Sequence, residues 1–146
     1  MGNDLYCLDP MRPKGKPLGN AEVGERMDWD VSPDGSRLAL IGREKHSGRI
    51  ELLTFSDSTW REISPERSFG YPELIAWAAD GKGLFVTSWN KDSIDLLHLT
   101  LTGKVEPLIQ NGYRQSVGKL LPSPDGKFLA YQAETTDSNV WMLENF

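Results

Sequence analysis

The dipeptide Asp-Gly occurs three times in this chain, at Asp34-Gly35, Asp80-Gly81 and Asp125-Gly126, with spacings of 46 and 45 residues (80 − 34 and 125 − 80). Each copy lies between two apolar segments. Asp-Gly in that setting is a strong hairpin signal, because the turn needs residues that tolerate positive φ. A unit of about 40–45 residues holding several short strands is the sequence mark of a β-propeller blade. This one spacing constrains the fold more than any other feature of the chain.

The surrounding residues repeat as well. The first unit reads Trp29-Asp30-Val31-Ser32-Pro33-Asp34-Gly35, the second Ala76-Trp77-Ala78-Ala79-Asp80-Gly81, and the third Leu121-Pro122-Ser123-Pro124-Asp125-Gly126. Pro two places before Gly presets φ at the start of the turn. The second unit departs from the pattern, with Ala78-Ala79 in place of Ser-Pro. On this alignment Trp29 and Trp77 are read as equivalents in the first strand of their units, the strand that lines a propeller's central channel. Each unit then continues into a second hairpin. Strand three of the first unit is Arg49–Phe55 and strand four Trp60–Ile63; in the second unit they are Ile94–Leu99 and Val105–Ile109; in the third, Asn139–Leu143 supplies strand three. Asp4–Asp9 reads as a strand three at the front of the chain, and Gly15-Lys16-Pro17-Leu18 echoes the turn at Gly103.

The expected fold class is therefore all-β: propeller blades of four-stranded antiparallel sheet, about three per chain. The whole chain, 1–146, is one propeller segment, divided into a half blade at 3–20, blades at 27–64 and 73–110, and an incomplete blade at 118–146. The strands are rich in Leu, Ile, Val, Phe, Tyr and Trp. Several are apolar on both faces, which suits blades that stack face to face.

The Ser32-Pro33-Asp34-Gly35 and Ser123-Pro124-Asp125-Gly126 turns, followed by small apolar strands and by a strand like Asn139-Val140-Trp141-Met142, resemble the WD-like propeller repeat of the TolB type. That repeat also builds the propellers of prolyl-oligopeptidase-type peptidases. The closing Ser138–Phe146 resembles the tail of large bacterial proteins in which a propeller follows a winged-helix or kinase regulator. The resemblance implies a non-enzymatic protein- or peptide-binding or scaffold module, with no cofactor. It also admits an accessory gating propeller of a peptidase and the ligand-sensing propeller of a transcriptional regulator or kinase. It is compatible with a periplasmic or a cytoplasmic bacterial setting alike. A propeller repeat specifies a fold and leaves function to the site.

Closed propellers use four to eight blades, so about three would leave apolar faces and strand edges open. The chain is expected to be the remainder of a longer propeller or to close its ring with another copy. Two, four, four and three strands make thirteen, and two chains twenty-six, near the twenty-four of six blades. A two-fold dimer, each front half completing the partner's last blade, is the expected assembly.

The formal charge is −5, and no basic stripe is present, which argues against nucleic acid. No apolar run approaches a membrane span, and no signal peptide is visible at Met1. Cys7 is the sole cysteine, which excludes an internal disulfide and Cys-based zinc sites.

Chemistry-bearing residues are sparse. His46, in the polar 43–48 loop, and His98, in a strand, are the only histidines, and no motif joins them into a metal site or a triad. No Gly-x-Ser-x-Gly elbow occurs. Asp34, Asp80 and Asp125, with Gly35, Gly81 and Gly126, recur in every unit and read as structural turns. The binding candidates are aromatic: Trp89, placed in a loop after strand two, with Tyr71, Tyr113 and Arg114 in the loops between units. An aromatic and Arg cluster on one propeller face has the composition of a binding hot spot. The competing reading is that each ring caps the end of a blade core.

Overall fold

Each Asp-Gly dipeptide closes a hairpin of the same build. The Gly35 N–H donates to the Ser32 carbonyl at 2.8 Å, Gly81 N–H to Ala78 at 2.9 Å and Gly126 N–H to Ser123 at 2.9 Å. One step out, Ser32 N–H donates to Arg37, Ala78 N–H to Gly83 and Ser123 N–H to Phe128, at 2.8, 2.9 and 2.8 Å. The three glycines have φ of 69°, 66° and 70°, the left-handed region that glycine enters without steric penalty. The second turn therefore keeps the geometry of the others although Ala78-Ala79 replaces Ser-Pro. The backbone bonds and the glycine suffice; the Ser hydroxyl is an addition.

The computed structural model describes residues 6–9, 12–17, 28–44, 47–91, 93–113 and 117–133. Among these the secondary structure is entirely β. The strands are β1 (Tyr6–Asp9), β2 (Arg12–Pro17), β3 (Trp29–Val31), β4 (Arg37–Glu44), β5 (Ser47–Thr54), β6 (Thr59–Ile63), β7 (Tyr71–Trp77), β8 (Gly83–Asn90), β9 (Ser93–Thr100), β10 (Val105–Tyr113), β11 (Val117–Pro122) and β12 (Leu129–Ala133). They form two four-stranded antiparallel sheets, β3-β4-β5-β6 and β7-β8-β9-β10, and two two-stranded sheets, β1-β2 and β11-β12. The proposed third strand at 139–143, with Trp141, lies outside the described residues.

The ladders run further than the turn chemistry suggests. Within 43–48, expected as a polar loop, residues 43–44 and 47–48 continue β4 and β5: Arg43 pairs with Gly48 and Glu44 with Ser47; Lys45 and His46 lie outside the described residues. Trp89 and Tyr71, expected in loops, are strand residues that pair directly across β7 and β8. Two local effects extend β7. A residue before Pro favours extended backbone, which carries Tyr71 into the strand. Pro72 itself is tolerated because β7 is an edge strand, and the register shift between Pro72 and Leu74 absorbs it.

The pairing also corrects the alignment of the two tryptophans. Trp29 faces Leu40, and Val31 faces Leu38. Trp77 faces Leu84, and Ile75 faces Val86. With a fixed offset of 46, the counterpart of Trp77 is Val31 and that of Trp29 is Ile75. Aligning on indoles displaced the register by two residues; alternation preserved the face but not the depth along the strand.

The core is split between the two joints where sheets stack. Between the first and second four-stranded sheets lie Ala39, Ile41, Ile50, Leu52 and Ile63 against Ile75, Trp77, Leu84, Val86, Leu97 and Leu99. Between the second and third, Ala76, Ile94 and Leu96 meet Val117 and Leu120. The second sheet is thus buried on both faces, which explains the adjacent apolar residues Leu84-Phe85-Val86 in β8 and Leu96-Leu97 in β9.

Candidate functional site

The innermost strand of each sheet presents a free edge, and the structure shows how the first two are joined. Asp28 and Asp30 flank Trp29, so both point away from it across the pleat. The Asp28 carboxylate accepts the Ile75 N–H, and the Asp30 carboxylate the Trp77 N–H, each at 2.7 Å. The Trp77 indole N–H donates to the Asp30 carbonyl at 3.0 Å. Two side chains thus stand in for a paired strand along the edge of β7. Burial pushes the Asp28 carboxyl above its usual range, opposed by the Ile75 and Trp29 N–H groups it accepts. From the same sheet, the Arg37 guanidinium lies 4.8 Å from the Trp77 ring and donates to the Gly81 carbonyl at 3.0 Å. Sequence reasoning passed over Asp28, Asp30 and Arg37; the spacing Asp-x-Asp before a turn was the available signal.

Strands β3, β7 and β11 line an open groove of about 780 Å³ bordered by Asp28, Trp29, Trp77, Lys119 and Pro122. At one end of the second sheet sits the aromatic rim. Tyr71 and Trp89 are directly opposed in the ladder, so their side chains share one face. Trp89 is 38% exposed, and its indole N–H donates to the Glu73 carboxylate. Tyr71 also borders a second cleft of about 360 Å³ with Arg67, Phe69 and Gly48. Of the four binding candidates, then, Tyr71 and Trp89 come together. The backbone of Tyr113 pairs with Ile94 at the end of β10, while Arg114 lies outside the described residues.

The Asp-Gly aspartates sit in their turns. Asp34 accepts the Ser32 hydroxyl at 2.6 Å and both the N–H and hydroxyl of Ser36, at 3.0 and 2.8 Å. These bonds, the Ser32 one first, hold its carboxyl down at about 2. Asp125 repeats the arrangement with Ser123 and Lys127 and is likewise held low. Asp80 keeps only the bond from Lys82 N–H, at 2.9 Å. His98 packs against Phe85, 5.5 Å between ring centroids, and faces Glu106 at 3.4 Å. Among the described residues no three His, Cys, Asp or Glu side chains converge as a metal site would need.

Radially stacked four-stranded sheets, each with its innermost strand on a common groove, define a propeller module. Its fold is TolB-like. A protein of Agrobacterium tumefaciens assigned as TolB superposes with a TM-score of 0.74 at 15% identity, covering 92% of this chain and 47% of that one. TolB from Acinetobacter baumannii gives 0.70 at 20% identity, over 89% and 32%. The periplasmic gluconolactonase of Pseudomonas aeruginosa gives 0.58 at 23% identity, over 89% and 42%. The chain thus spans about half the length of the first of these structures and a third of the second. No family model matches the chain, and no curated protein matches it in sequence.

Proposed function

We propose that this chain is a non-enzymatic binding module that takes a protein or peptide partner on the sheet end carrying Tyr71 and Trp89. The observation behind the reading is the opposed Tyr71–Trp89 pair beside the cleft of Arg67 and Phe69. Aromatic rings and Arg are the side chains most enriched in binding hot spots. Here the rings stand on a ladder rather than on a loop, so little conformational entropy is lost when they are covered. Glu73 orients the Trp89 indole, and a carboxylate next to a half-exposed ring favours a partner that brings a cation.

The test is a selection of displayed peptides on the immobilised full chain, followed by titration of the best binder against Trp89→Ala and Tyr71→Ala. Each substitution should weaken binding by at least about tenfold, the loss typical of a hot-spot residue. The melting temperature should stay nearly constant. Unchanged affinity overturns the assignment, and so does a collapse in melting temperature, which would make the rings packing groups.

A further inference from the structure

Trp77 shows how an indole of this chain holds a guanidinium. Its N–H donates to the Asp30 carbonyl at 3.0 Å, which fixes one edge of the ring. The Arg37 guanidinium lies 4.8 Å from the ring centroid and donates to the Gly81 carbonyl at 3.0 Å. An arginine over an indole is attracted by the negative face of the ring, and its N–H groups still reach acceptors beside that ring. At this joint the bonded indole edge, the ring face and the cation all come from one chain.

Trp89 repeats two of those parts at the surface. Its N–H donates to the Glu73 carboxylate, and the residue is 38% exposed. Among the described residues no cation lies over that ring and no ion pair involves Glu73. The charge beside Glu73 is negative as well: Asp28, pushed up chiefly by burial, is raised further by Asp30 and Glu73. Glu73 is itself half-buried, and a carboxylate in such a place gains more from an arriving cation than one in open solvent.

The ring is also held ready. Gly70 has φ of 88°, and a Cβ there would lie 2.2 Å from the Trp89 carbonyl oxygen. The chain before Tyr71 thus passes β8 at a distance that only glycine permits. On either side of Trp89, the Ser88 hydroxyl donates to the Phe69 carbonyl and the Asn90 amide to Asp95. A ring fixed from both sides loses little freedom when it is covered.

We infer that the rim holds its partner by an arginine side chain, the guanidinium lying over the Trp89 indole and hydrogen-bonded to Glu73. This anchor rests on the reading of the rim as a binding site and adds the chemistry of what is bound there. Arginine is favoured over lysine because a planar guanidinium stacks on the ring and pairs with the carboxylate at its edge together, whereas an ammonium acts as a point charge.

The test follows the Trp89 indole N–H resonance of the full chain by NMR, assigned through its loss in Trp89→Phe. The probes are N-acetyl-arginine methylamide and its lysine and citrulline counterparts. The arginine compound should move the resonance saturably, the lysine compound more weakly, and the neutral citrulline compound not at all. Glu73→Gln keeps an oxygen for the indole N–H and should weaken the arginine response by about tenfold, the equivalent of one charge-assisted hydrogen bond. No response to arginine, an equal response to citrulline, or indifference to Glu73→Gln overturns the guanidinium anchor. The comparison of probes uses the unaltered chain, so it decides the matter even if Glu73→Gln unfolds. Arg114, outside the described residues, is tested as a competing anchor: a response that arises only in Arg114→Ala gives the place to the chain's own arginine and overturns an outside one. The rim itself is judged separately. A displayed peptide that needs Trp89 but keeps its affinity when each Arg becomes citrulline removes the anchor and leaves the rim; one indifferent to Trp89→Ala removes the rim.

Discussion

The two inter-sheet joints of this molecule solve one problem in opposite ways. An innermost strand has a free edge whose N–H groups need acceptors. At the joint between the first two sheets, Asp28 and Asp30 supply them to Ile75 and Trp77. At the joint between the second and third, the positions of those aspartates hold Leu74 and Ala76, and the position of Trp77 holds Pro122, which has no N–H to satisfy. The donor at the Trp77 position is bonded in one case and deleted in the other, while the Ile75 position, Leu120, keeps its N–H. The repeat fixes where an edge amide falls, and the side chains on both sides of a joint change together.

If this is right, the first joint is the one that truncation damages most. Trp77 is 3% exposed and carries packing, an indole hydrogen bond and the Arg37 contact. Trp77→Ala should destabilise the chain by about 3–5 kcal/mol, the range for a large buried aromatic. Leu120→Ala at the second joint should cost about 2–3 kcal/mol, near the lower end for a buried Leu. Urea unfolding at neutral pH measures both, and equal losses would erase the contrast between the joints.

The carboxylate clasp allows a narrower comparison. Asp30→Ala leaves the buried Trp77 N–H without its acceptor, at a cost of about 1–3 kcal/mol. Asp30→Asn keeps an oxygen in place and should lose clearly less. Hydrogen exchange at the Trp77 amide should speed up in the Ala variant by the same free energy. If Asn is as damaging as Ala, charge rather than the edge hydrogen bond holds the joint.

The turns sharpen the contrast from the other side, since they are alike where the joints differ. Gly35 and Gly81 share nearly the same φ, and an added Cβ would meet nothing within 4 Å at Gly35 and only the end of Arg37, at 3.7 Å, at Gly81. Gly35→Ala and Gly81→Ala should therefore cost the same, about 1–2 kcal/mol from backbone strain alone. Unequal losses, read from paired thermal melts, would mean that Ser32-Pro33 contributes to the turn what Ala78-Ala79 cannot.

How much of this was legible in the sequence follows from the range of each interaction. The Asp-Gly hairpins and the all-β, four-stranded units rest on contacts a few residues apart, and the repeat displays them. The joints rest on pairs 47 residues apart, such as Asp30 with Trp77, and the local Asp28-Trp29-Asp30 pattern marks the acceptors without saying which amides they meet. The tryptophans misled for the same reason: Trp29 and Trp77 look alike, but cross-strand pairing gives them different depths, one half exposed and one buried. Trp89 and Tyr71 were expected together on one face, and they are opposed, yet in strands. Asn and Ser around Trp89 suggested a loop, and the long ladder of β8 with β9 overrode that preference.

The smallest effect comes from the Ser32 hydroxyl. It donates to Asp34 and accepts the Arg37 N–H at 2.9 Å, while the second turn stands without a counterpart because Ala78 occupies that place. Ser32→Ala should thus cost roughly 1 kcal/mol for the lost Arg37 bond and leave the turn closed. It should also release Asp34, whose carboxyl is held at about 2 chiefly by this serine. A group titrating lower in the folded chain than in the unfolded one, where Asp sits near about 3.9, adds stability above that value and loses it as pH falls through the folded one. The gap in melting temperature between wild type and variant should therefore be full at neutral pH and shrink between about pH 4 and pH 2. Asp28, raised by burial, contributes with the opposite sign, but it is common to both proteins and cancels in the difference. A gap that stays constant with pH would show that Ser32 acts on the backbone alone, and the first turn would then differ from the second only by one neutral hydrogen bond.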